Sequence, residues 1–269
     1  MNSTDQLDSS DDGLFAGTAW HYARYRPGYP QEFLDDMIER LDLDGTGRLL
    51  ELGCGTGQLT LPLAAHVAEA VGMDPEPDML SEASRLAREQ SVTNVIWTQG
   101  ASADLPGNLG SFTLVTMGRS FHWMDREQVL TALDDMVNDD GSLVIANDSC
   151  LIRPTTTWQQ AIEEVQRTFL PPQHQHGPTP AADPRQTHEQ VLANSPFRQV
   201  NRQVYEFLRP WTIEQAIGYL YSTSLPLRRL LGDQQTAFED AVTNTLLAID
   251  PAGHFTEPVA MEVLTARRN

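Results

Sequence analysis

The sequence predicts an α/β fold in which a parallel sheet carries helices on both faces, and three observations support this prediction. Short apolar runs alternate with segments of helical periodicity between residues 30 and 147. A glycine-rich turn at residues 53–57 follows the first apolar run, and the acidic residue Asp74 ends the second. This order of strand, glycine turn, helix, strand and carboxylate is typical of a βαβ nucleotide-binding unit.

The elements of this first part follow from residue spacing. Pro30 suits the first turn of a helix, and the apolar residues after it recur every three or four positions. The spacing predicts helices at residues 30–41, 58–66, 77–88 and 126–137, and strands at residues 48–52, 68–73, 94–99, 112–117 and 142–147. The Asn-Asp-Asp-Gly segment at residues 138–141 is expected to form a turn before the fifth strand.

The pattern changes after Asp148. Here the spacing predicts helices at residues 157–169, 186–193, 213–221 and 234–249, and strands at residues 198–208 and 259–266. The proline-rich segment at residues 171–180 is a loop by composition. The first 13 residues are polar and acidic, so we expect them to be disordered.

The glycine turn and Asp74 indicate the kind of ligand. Gly53, Gly55 and Gly57 can adopt positive φ and let a ligand approach the backbone closely, because they have no Cβ. The helix that follows Gly57 offers free N–H groups at its first turn. The Asp74 carboxylate can accept two hydrogen bonds from a ribose diol. A nucleoside-containing cofactor fits these groups.

The spacing of the glycines disfavours a dinucleotide. The fingerprint G-x-G-x-x-G/A requires Gly or Ala directly after Gly57, where this chain has Gln58. NAD and FAD are therefore disfavoured. The chain contains no lysine, which excludes a P-loop as well as Schiff-base and pyridoxal chemistry.

Two features resemble motif I and the acidic loop of the class I S-adenosylmethionine (SAM)-dependent methyltransferases. They are residues 51–57, with the sequence Glu-Leu-Gly-Cys-Gly-Thr-Gly, and Asp74. Residues 100–106 resemble the adenine-side loop, and residues 121–125 resemble the segment after the fourth strand in the small-molecule branch. Residues 22–30 resemble the N-terminal lid of that branch, which includes trans-aconitate-methyltransferase-like enzymes and methyltransferase type 11 domains. The resemblance is clear over residues 20–150.

The resemblance implies a Rossmann-like parallel sheet that ends in an antiparallel hairpin of the last two strands, with the inserted helices as a substrate cap. It divides the chain into a flexible N-terminus and lid (1–28), a SAM-binding core (29–150), and a cap with the last two strands (151–269). The implied cofactor is S-adenosyl-L-methionine, which leaves as S-adenosyl-L-homocysteine. The implied reaction is methyl transfer to an oxygen, nitrogen or carbon of a small molecule, with secondary metabolism as the setting.

The resemblance also implies a set of cofactor-binding residues. They are Tyr22, Arg26, Glu51, Gly53, Cys54, Gly55, Gly57, Asp74, Pro75, Met79, Ala101, Ser102 and Met117. Asp74 would bind the ribose, Tyr22 and Arg26 would cover the methionine end, and Met79 would flank the adenine with Met73. Helix packing is an equal alternative for Met79.

Two further positions leave alternatives open. Glu51 either reaches the methionine amino group through water or caps backbone N–H groups. Ala101 departs from the branch pattern, because an acidic residue often follows Gly100 there and accepts from the adenine amino group. Asp104, or Ser102 with backbone groups, could hold the base instead.

The candidate catalytic residue is His122, which follows the fourth strand at the edge where ligands bind. Its usual pKa suits a general base that takes a proton from a hydroxyl or amine, although a packed structural histidine is the alternative. Arg119 is expected either to meet an anionic substrate or to form a surface ion pair. His174 and His176 lack further ligands at metal spacing, so we predict no metal site. No G-x-S-x-G elbow of a hydrolase is present.

Composition limits the partners and the compartment. The net charge of −19 disfavours binding to nucleic acid or to an anionic membrane, which leaves a small-molecule substrate as the expected partner. Two cysteines, with no signal peptide and no apolar span, fit a reducing cytoplasm. Cys54 is expected to be a small turn residue rather than a reactive thiol. Two other functions remain open: a SAM-binding protein with different chemistry, and an NAD-dependent oxidoreductase.

Overall fold

The structure, a computed structural model, describes residues 15–148, 154–172, 182–183 and 185–269. Its strands form a seven-stranded sheet in the order β3-β2-β1-β4-β5-β7-β6. The strands are β1 (Arg48–Leu52), β2 (Glu69–Asp74), β3 (Val95–Gln99), β4 (Phe112–Gly118), β5 (Val137–Asn147), β6 (Gln199–Thr212) and β7 (His254–Arg267). The first five pair in parallel, whereas β7 pairs antiparallel with both β5 and β6. The predicted α/β fold, with its terminal antiparallel hairpin, is confirmed.

Ten α-helices are found within the described residues. They are α1 (Ala19–Tyr25), α2 (Gln31–Arg40), α3 (Thr60–Ala64), α4 (Pro77–Glu89), α5 (Arg126–Asp134), α6 (Thr157–Phe169), α7 (His188–Ala193), α8 (Ile213–Leu220), α9 (Leu227–Leu231) and α10 (Gln235–Ile249). Two buried clusters include residues of the sheet, one with α2 and α3 and the other with α5 and α7. None of the described helices combines the length and apolar character needed to cross a membrane.

The strand order reverses between β1 and β4, so the carboxyl ends of β1, β2 and β4 lie together at one edge of the sheet. In open α/β sheets, ligands bind outside this edge at the point of reversal. The glycine turn follows β1, and Asp74 ends β2. The fold therefore brings the predicted cofactor residues to the place where a ligand is expected.

Residues 138–141 differ from the prediction. They lie inside β5, where the register against β4 shifts between Phe112 and Leu114, so the expected turn is wrong. A Cβ on Gly141 would lie 2.7 Å from Val137 Cγ1 and 3.0 Å from the Thr113 carbonyl oxygen. Gly141 thus lets the backbones of β4 and β5 approach closely where their pairing is irregular, which is a common role of glycine inside a strand.

Helix bounds near the turn and in the cap also differ from the prediction. The helix after the glycine turn covers Thr60–Ala64 rather than residues 58–66, since Gln58 and Leu59 still belong to the turn. Helix α9 was not expected from the sequence; it follows Pro226. Strands β6 and β7 are both longer than predicted, since their pairing continues from Gln199 and Arg267 to Thr212 and His254.

The cap helices have a buried core of their own. Residues of α6, α8, α9 and α10 pack there with Trp211 of β6 and Phe255 of β7. Trp158 of α6 donates its indole N–H to the Thr256 carbonyl oxygen at 3.0 Å. The cap is thus anchored on the far ends of the two longest strands.

The division of the chain at residues 28 and 150 stays a prediction.

A buried charge network joins the sheet to the cap; it consists of Arg119, Asp148, Arg209 and Glu257. Arg119 Nε lies 2.8 Å from Asp148 Oδ1, and Arg209 Nη2 lies 2.7 Å from Asp148 Oδ2. Arg209 Nη1 lies 3.2 Å from Glu257 Oε2. Burial alone would raise the pKa of Asp148, but the two arginines outweigh burial and lower it. The carboxylate therefore stays charged inside the fold.

The network extends in both directions. At the cap end, Gln159 of α6 donates to Glu257 Oε1 at 3.0 Å. At the other end, Arg119 Nη1 donates to the Pro27 carbonyl oxygen at 2.7 Å. The surface ion pair expected for Arg119 is wrong, because its side chain is only 9% exposed and its guanidinium is occupied within the fold.

Candidate functional site

The turn between β1 and α3 is held by backbone hydrogen bonds and tight packing. Gly53 N and Cys54 N both donate to the Met73 carbonyl oxygen, at 2.8 and 3.1 Å, which ties the turn to the end of β2. A Cβ on Gly53 would lie 2.6 Å from Ser120 Cβ. A Cβ on Gly57, which has φ +80°, would lie 2.7 Å from Trp97 Cη2. Both glycines are therefore required by space as well as by conformation.

Asp74 is fixed at the tip of β2. Its Oδ2 accepts a hydrogen bond from Gly55 N at 2.8 Å, and its Oδ1 accepts one from Glu76 N at 2.9 Å. Burial raises the pKa of Asp74, although both hydrogen bonds oppose the rise. Each carboxylate oxygen can accept a further hydrogen bond. A rigid acceptor pair beside a glycine turn suits a ribose diol.

Glu51 is the one acidic residue of β1, and its side chain is buried. It accepts a hydrogen bond from the Thr60 hydroxyl at the start of α3. Burial, with a contribution from the charge of Asp74, raises the pKa of Glu51 to about 8. At neutral pH the carboxyl group is therefore mostly protonated. A cation placed beside it would favour the charged form.

Residues 15–26, which include helix α1, cover the glycine turn and are called the lid from here on. The Tyr22 ring lies against the turn, since a Cβ on Gly55 would be 3.3 Å from Tyr22 Cε1. The Phe15 amide donates to Glu76 Oε1 at 3.1 Å, and the Gln58 side chain donates to the Arg26 carbonyl oxygen at 2.8 Å. Contacts at both ends therefore hold the lid beside the turn.

Arg26 connects the lid to the cap. Its guanidinium lies over the Tyr22 ring at 4.9 Å and over the Tyr219 ring at 4.8 Å. It donates to the Tyr219 hydroxyl at 3.2 Å and, from Nη2, to the Ser222 carbonyl oxygen at 3.1 Å. The role of Arg26 in binding a cofactor carboxylate stays a prediction, and these contacts place its guanidinium between Tyr22 and helix α8.

His122 lies in the short 3-10 turn Phe121–Trp123 that follows β4. Burial first, and then electrostatic interactions with His188 and Arg26, lower its pKa to about 4. The imidazole is therefore neutral at neutral pH. A neutral imidazole can accept a proton, but a low pKa makes it a weak base.

The remaining predicted cofactor residues differ in exposure. Cys54 and Met79 are buried, and burial raises the pKa of the Cys54 thiol well above its usual value, which disfavours a reactive thiolate. Met117 has no exposed surface and belongs to the core cluster that includes α5. Pro75 is exposed.

The adenine-side loop is ordered by Asp104. Its Oδ2 accepts a hydrogen bond from Ala101 N at 2.7 Å, across the short 3-10 turn Ser102–Asp104. Asp104 is thus engaged with the backbone of its own loop, while Ala101 is exposed and Ser102 is half-buried. Their contacts with an adenine stay predictions.

Sequence reasoning missed three residues near the turn. Glu76 accepts a hydrogen bond from the backbone of the lid. The Trp97 ring packs against the backbone of Gly57 and Gly72. The Phe15 ring lies edge-on to the rings of Tyr22 and Trp123. Only Trp97 lies in an element that the sequence predicts, the strand at residues 94–99. The partners of the other two are set by tertiary contact.

No group of three or more His, Cys, Asp or Glu residues suited to a metal is found within the described ranges. His174, His176 and Cys150 lie outside those ranges.

Comparison with known proteins identifies the domain around this site. Residues 49–141 match the model of a methyltransferase domain family. The chain is 30% identical over 129 residues to the uncharacterized methyltransferase Rv3342 of Mycobacterium tuberculosis, covering 48% of this chain and 49% of the relative. It is 28% identical over 117 residues to the uncharacterized methyltransferase YcgJ of Bacillus subtilis, covering 43% and 46%. The chain thus spans about half the length of the curated relatives it matches.

Solved structures share the fold over most of the chain. A putative type II methyltransferase from Anaeromyxobacter dehalogenans has a TM-score of 0.60 at 17% identity, covering 91% of this chain and 98% of that one. The YcgJ protein of Bacillus subtilis has a TM-score of 0.55 at 18% identity, covering 89% and 100%. The [4+2]-cyclase SpnF has a TM-score of 0.51 at 19% identity, covering 90% and 84%. Residues 49–141 therefore match a methyltransferase domain, and the chain shares its α/β fold with solved methyltransferase structures.

Proposed function

We propose that this protein transfers the methyl group of SAM to an oxygen, nitrogen or carbon atom of a small molecule. The observation that carries the proposal is the fixed pair of acceptors on Asp74 at the tip of β2, beside a glycine turn that packs closely against Ser120 and Trp97. That arrangement suits a nucleoside better than a diphosphate, because Gln58 stands where the dinucleotide fingerprint requires Gly or Ala.

The residues present fit SAM. Asp74 would accept from the ribose hydroxyls, and Glu51 would lie beside the cationic end, where a positive charge favours its ionised form. Tyr22 and Arg26 would cover the methionine end from the lid, and Met79 and Ser102 would lie on the adenine side. When bound, SAM supplies an electrophilic methyl group.

The chain itself would contribute position and exclusion of water. The lid, with the Phe15 and Tyr22 rings and Trp123 beside them, forms an aromatic cover next to the turn. Holding two reactants in line can supply about 7–11 kcal/mol of a reaction barrier. His122, neutral at neutral pH, would accept a proton from an acceptor hydroxyl or amine.

The net charge of the chain supports a small acceptor rather than a nucleic acid. The net charge of −19 repels phosphate backbones. Secondary metabolism is the setting that we infer from the small-molecule branch.

Turnover tests the proposal against its alternatives. The purified chain is incubated with SAM and a library of small hydroxyl, amine and carbon acceptors, and S-adenosylhomocysteine and methylated products are measured by mass spectrometry. Formation of both in equal amounts supports methyl transfer. Binding of SAM without either product would favour a different reaction, as the shared fold of the cyclase SpnF allows. Binding of NADH but not of S-adenosylhomocysteine would overturn the assignment of the turn.

A further inference from the structure

Strand β6 forms one edge of the sheet and is long enough to pair with a further strand. It is the last strand in the order of the sheet, and its 14 residues pair with β7 on one side. At the opposite edge, β3 has only 5 residues. A short edge strand is a common protection against strand addition, whereas a long edge is a template for it. Of the two edges of the described sheet, β6 is therefore the one suited to association.

The two faces of β6 differ in what covers them. The Tyr205 ring lies 5.6 Å from the Phe33 ring of α2, so the odd-numbered residues face that helix. Even-numbered residues from 202 to 212 are exposed. Among them are two apolar side chains, Val204 at 40% and Leu208 at 69% exposure. Exposed apolar side chains along an edge strand favour pairing with another chain.

Two prolines indicate which backbone groups of β6 face the open edge. Pro258 of β7 lies opposite Leu208, and Pro210 of β6 lies opposite Thr256. Antiparallel strands alternate between residue pairs that exchange two hydrogen bonds and pairs that exchange none. Proline has no N–H, so both of these pairs are of the second kind. The even-numbered residues of β6 therefore direct their N–H and C=O groups away from β7.

The charges on the exposed face of β6 are symmetric about Val204. Arg202 lies two positions before Val204, and Glu206 lies two positions after it. Two β6 strands paired antiparallel and centred on Val204 would place each Arg202 opposite Glu206 of the other copy. They would also place Val200 opposite Leu208. Opposite charges across a strand pair stabilise it and like charges destabilise it, so centring on Arg202 or Glu206 instead is disfavoured.

Both charges are accessible to a second copy. Arg202 Nε lies 2.6 Å from Glu262 Oε1 of β7 in an exposed pair, and the other two guanidinium nitrogens can donate to a further carboxylate. Glu206 is exposed, and its neighbour across the pair with β7 is the uncharged Ala260. A charge in the middle of an edge strand usually blocks self-pairing. Here the two charges have opposite signs at equal distances from the centre, so they favour it.

We propose that the protein forms a symmetric homodimer in which two copies pair antiparallel through residues 200–208 of β6, centred on Val204. The two seven-stranded sheets then join into one. Main-chain hydrogen bonds supply affinity, and the reciprocal pairs of Arg202 with Glu206 set the register. Pro210, which cannot donate a hydrogen bond, lies outside the paired segment. The inference is independent of methyl transfer, since β6 contains none of the residues assigned to the cofactor.

Sedimentation velocity at about 1–100 µM protein tests the dimer, and the wild-type chain is expected to reach the mass of two chains within this range. The variants E206R and R202E each place like charges opposite one another, so each should raise the dimer Kd at least ~10-fold. The control D78R makes the same charge change as E206R at an exposed position of α4, the helix beside β3, and should change the Kd less than ~2-fold.

An equimolar mixture of E206R and R202E tests the register itself. In the mixed dimer each arginine again lies opposite a glutamate, so the mixture should dimerise at least ~10-fold more tightly than either variant alone. Val204→Pro is a second test, because it removes an N–H that faces the open edge and breaks no hydrogen bond to β7. It should prevent dimerisation while the circular dichroism spectrum and the urea midpoint stay close to those of the wild type.

A wild-type chain that stays monomeric at about 100 µM would overturn the proposal and leave the β6 edge to a strand of a different protein. A dimer that neither charge reversal nor Val204→Pro weakens would also overturn it, because the copies would then meet through another surface. Failure of the mixture to recover dimerisation would refute the register centred on Val204.

Discussion

The turn after β1 and the cap are held by different kinds of contact. At the turn, backbone groups fix the geometry, as in the hydrogen bonds from Gly53 N and Cys54 N to the Met73 carbonyl oxygen. Between the lid, the sheet and the cap, side chains fix the geometry. Arg26 contacts Tyr219, Arg119 and Arg209 pair with Asp148, and Arg209 also pairs with Glu257. Substitutions at the turn should therefore act on ligand binding, and substitutions in the charge network should act on stability.

The largest expected effect is in the charge network. Asp148→Asn leaves two buried arginines with less counter-charge, so we expect the free energy of unfolding to fall by about 3–5 kcal/mol. Urea unfolding measures this loss. Glu163→Gln breaks an exposed ion pair with Arg167 and should change stability little. Similar losses in both variants would remove the distinction between the buried and the exposed charges.

The second prediction compares two glycines with positive φ. Gly57→Ala and Gly45→Ala should both cost about 1–2 kcal/mol of stability, because Gly57 has φ +80° and Gly45 has φ +89°. Only at Gly57 would the new Cβ meet another group, Trp97 Cη2 at 2.7 Å, whereas Gly45 has nothing within 4 Å. Calorimetry should therefore show S-adenosylhomocysteine binding weakened at least ~10-fold in Gly57→Ala alone, which is about 1.4 kcal/mol. Equal affinities in the two variants would count against the turn as the ligand seat.

The third prediction concerns the ribose acceptor. Asp74→Ala should weaken S-adenosylhomocysteine binding by about 1–3 kcal/mol through lost hydrogen bonds. The wild-type chain should also bind the 2′-deoxyribose analogue of S-adenosylhomocysteine more weakly than the natural compound, and Asp74→Ala should distinguish the two much less. If the variant keeps the full preference for the ribose, Asp74 does not contact the hydroxyl.

The smallest expected effect is a pH dependence at Glu51. The pKa of Glu51 is about 8 in the folded chain, whereas its ordinary value, which applies to the unfolded chain, is 4.5. Between these two pH values the folded state therefore holds one more proton than the unfolded state. The free energy of unfolding therefore falls as pH rises from 4.5 to 8, and this contribution is constant above 8. Between pH 6 and 7 the wild-type chain should lose about 1 kcal/mol more than Glu51→Gln. Parallel pH profiles from urea unfolding would show that Glu51 is already ionised.

Local patterns in the sequence predicted the turn and several elements well. Strand β1 has the predicted bounds because its apolar run is bordered by Gly47 and Gly53. Helix α6 also has the predicted bounds, and it begins at a capping box in which Thr156 and Gln159 exchange hydrogen bonds. Such signals lie within a few residues of the element that they define.

The contacts that build the cap could not be predicted in this way. Arg26 and Tyr219 are 193 positions apart, and Arg209 and Asp148 are 61 apart. No local spacing indicates such partners, so for Arg119 the sequence suggested only an anionic substrate or a surface ion pair. Residues 138–141 were expected to turn because their composition favours a turn, but pairing with β4 keeps them in β5. Tertiary contact decides where composition is ambiguous.

A crystal structure of the chain with S-adenosylhomocysteine tests the central claim most directly. The ribose hydroxyls are expected within hydrogen-bond distance of both Asp74 oxygens, with the nucleoside against the turn at residues 53–57 and under Tyr22. A ligand bound elsewhere, or a ribose turned away from Asp74, would contradict the claim that this sheet edge seats a nucleoside cofactor.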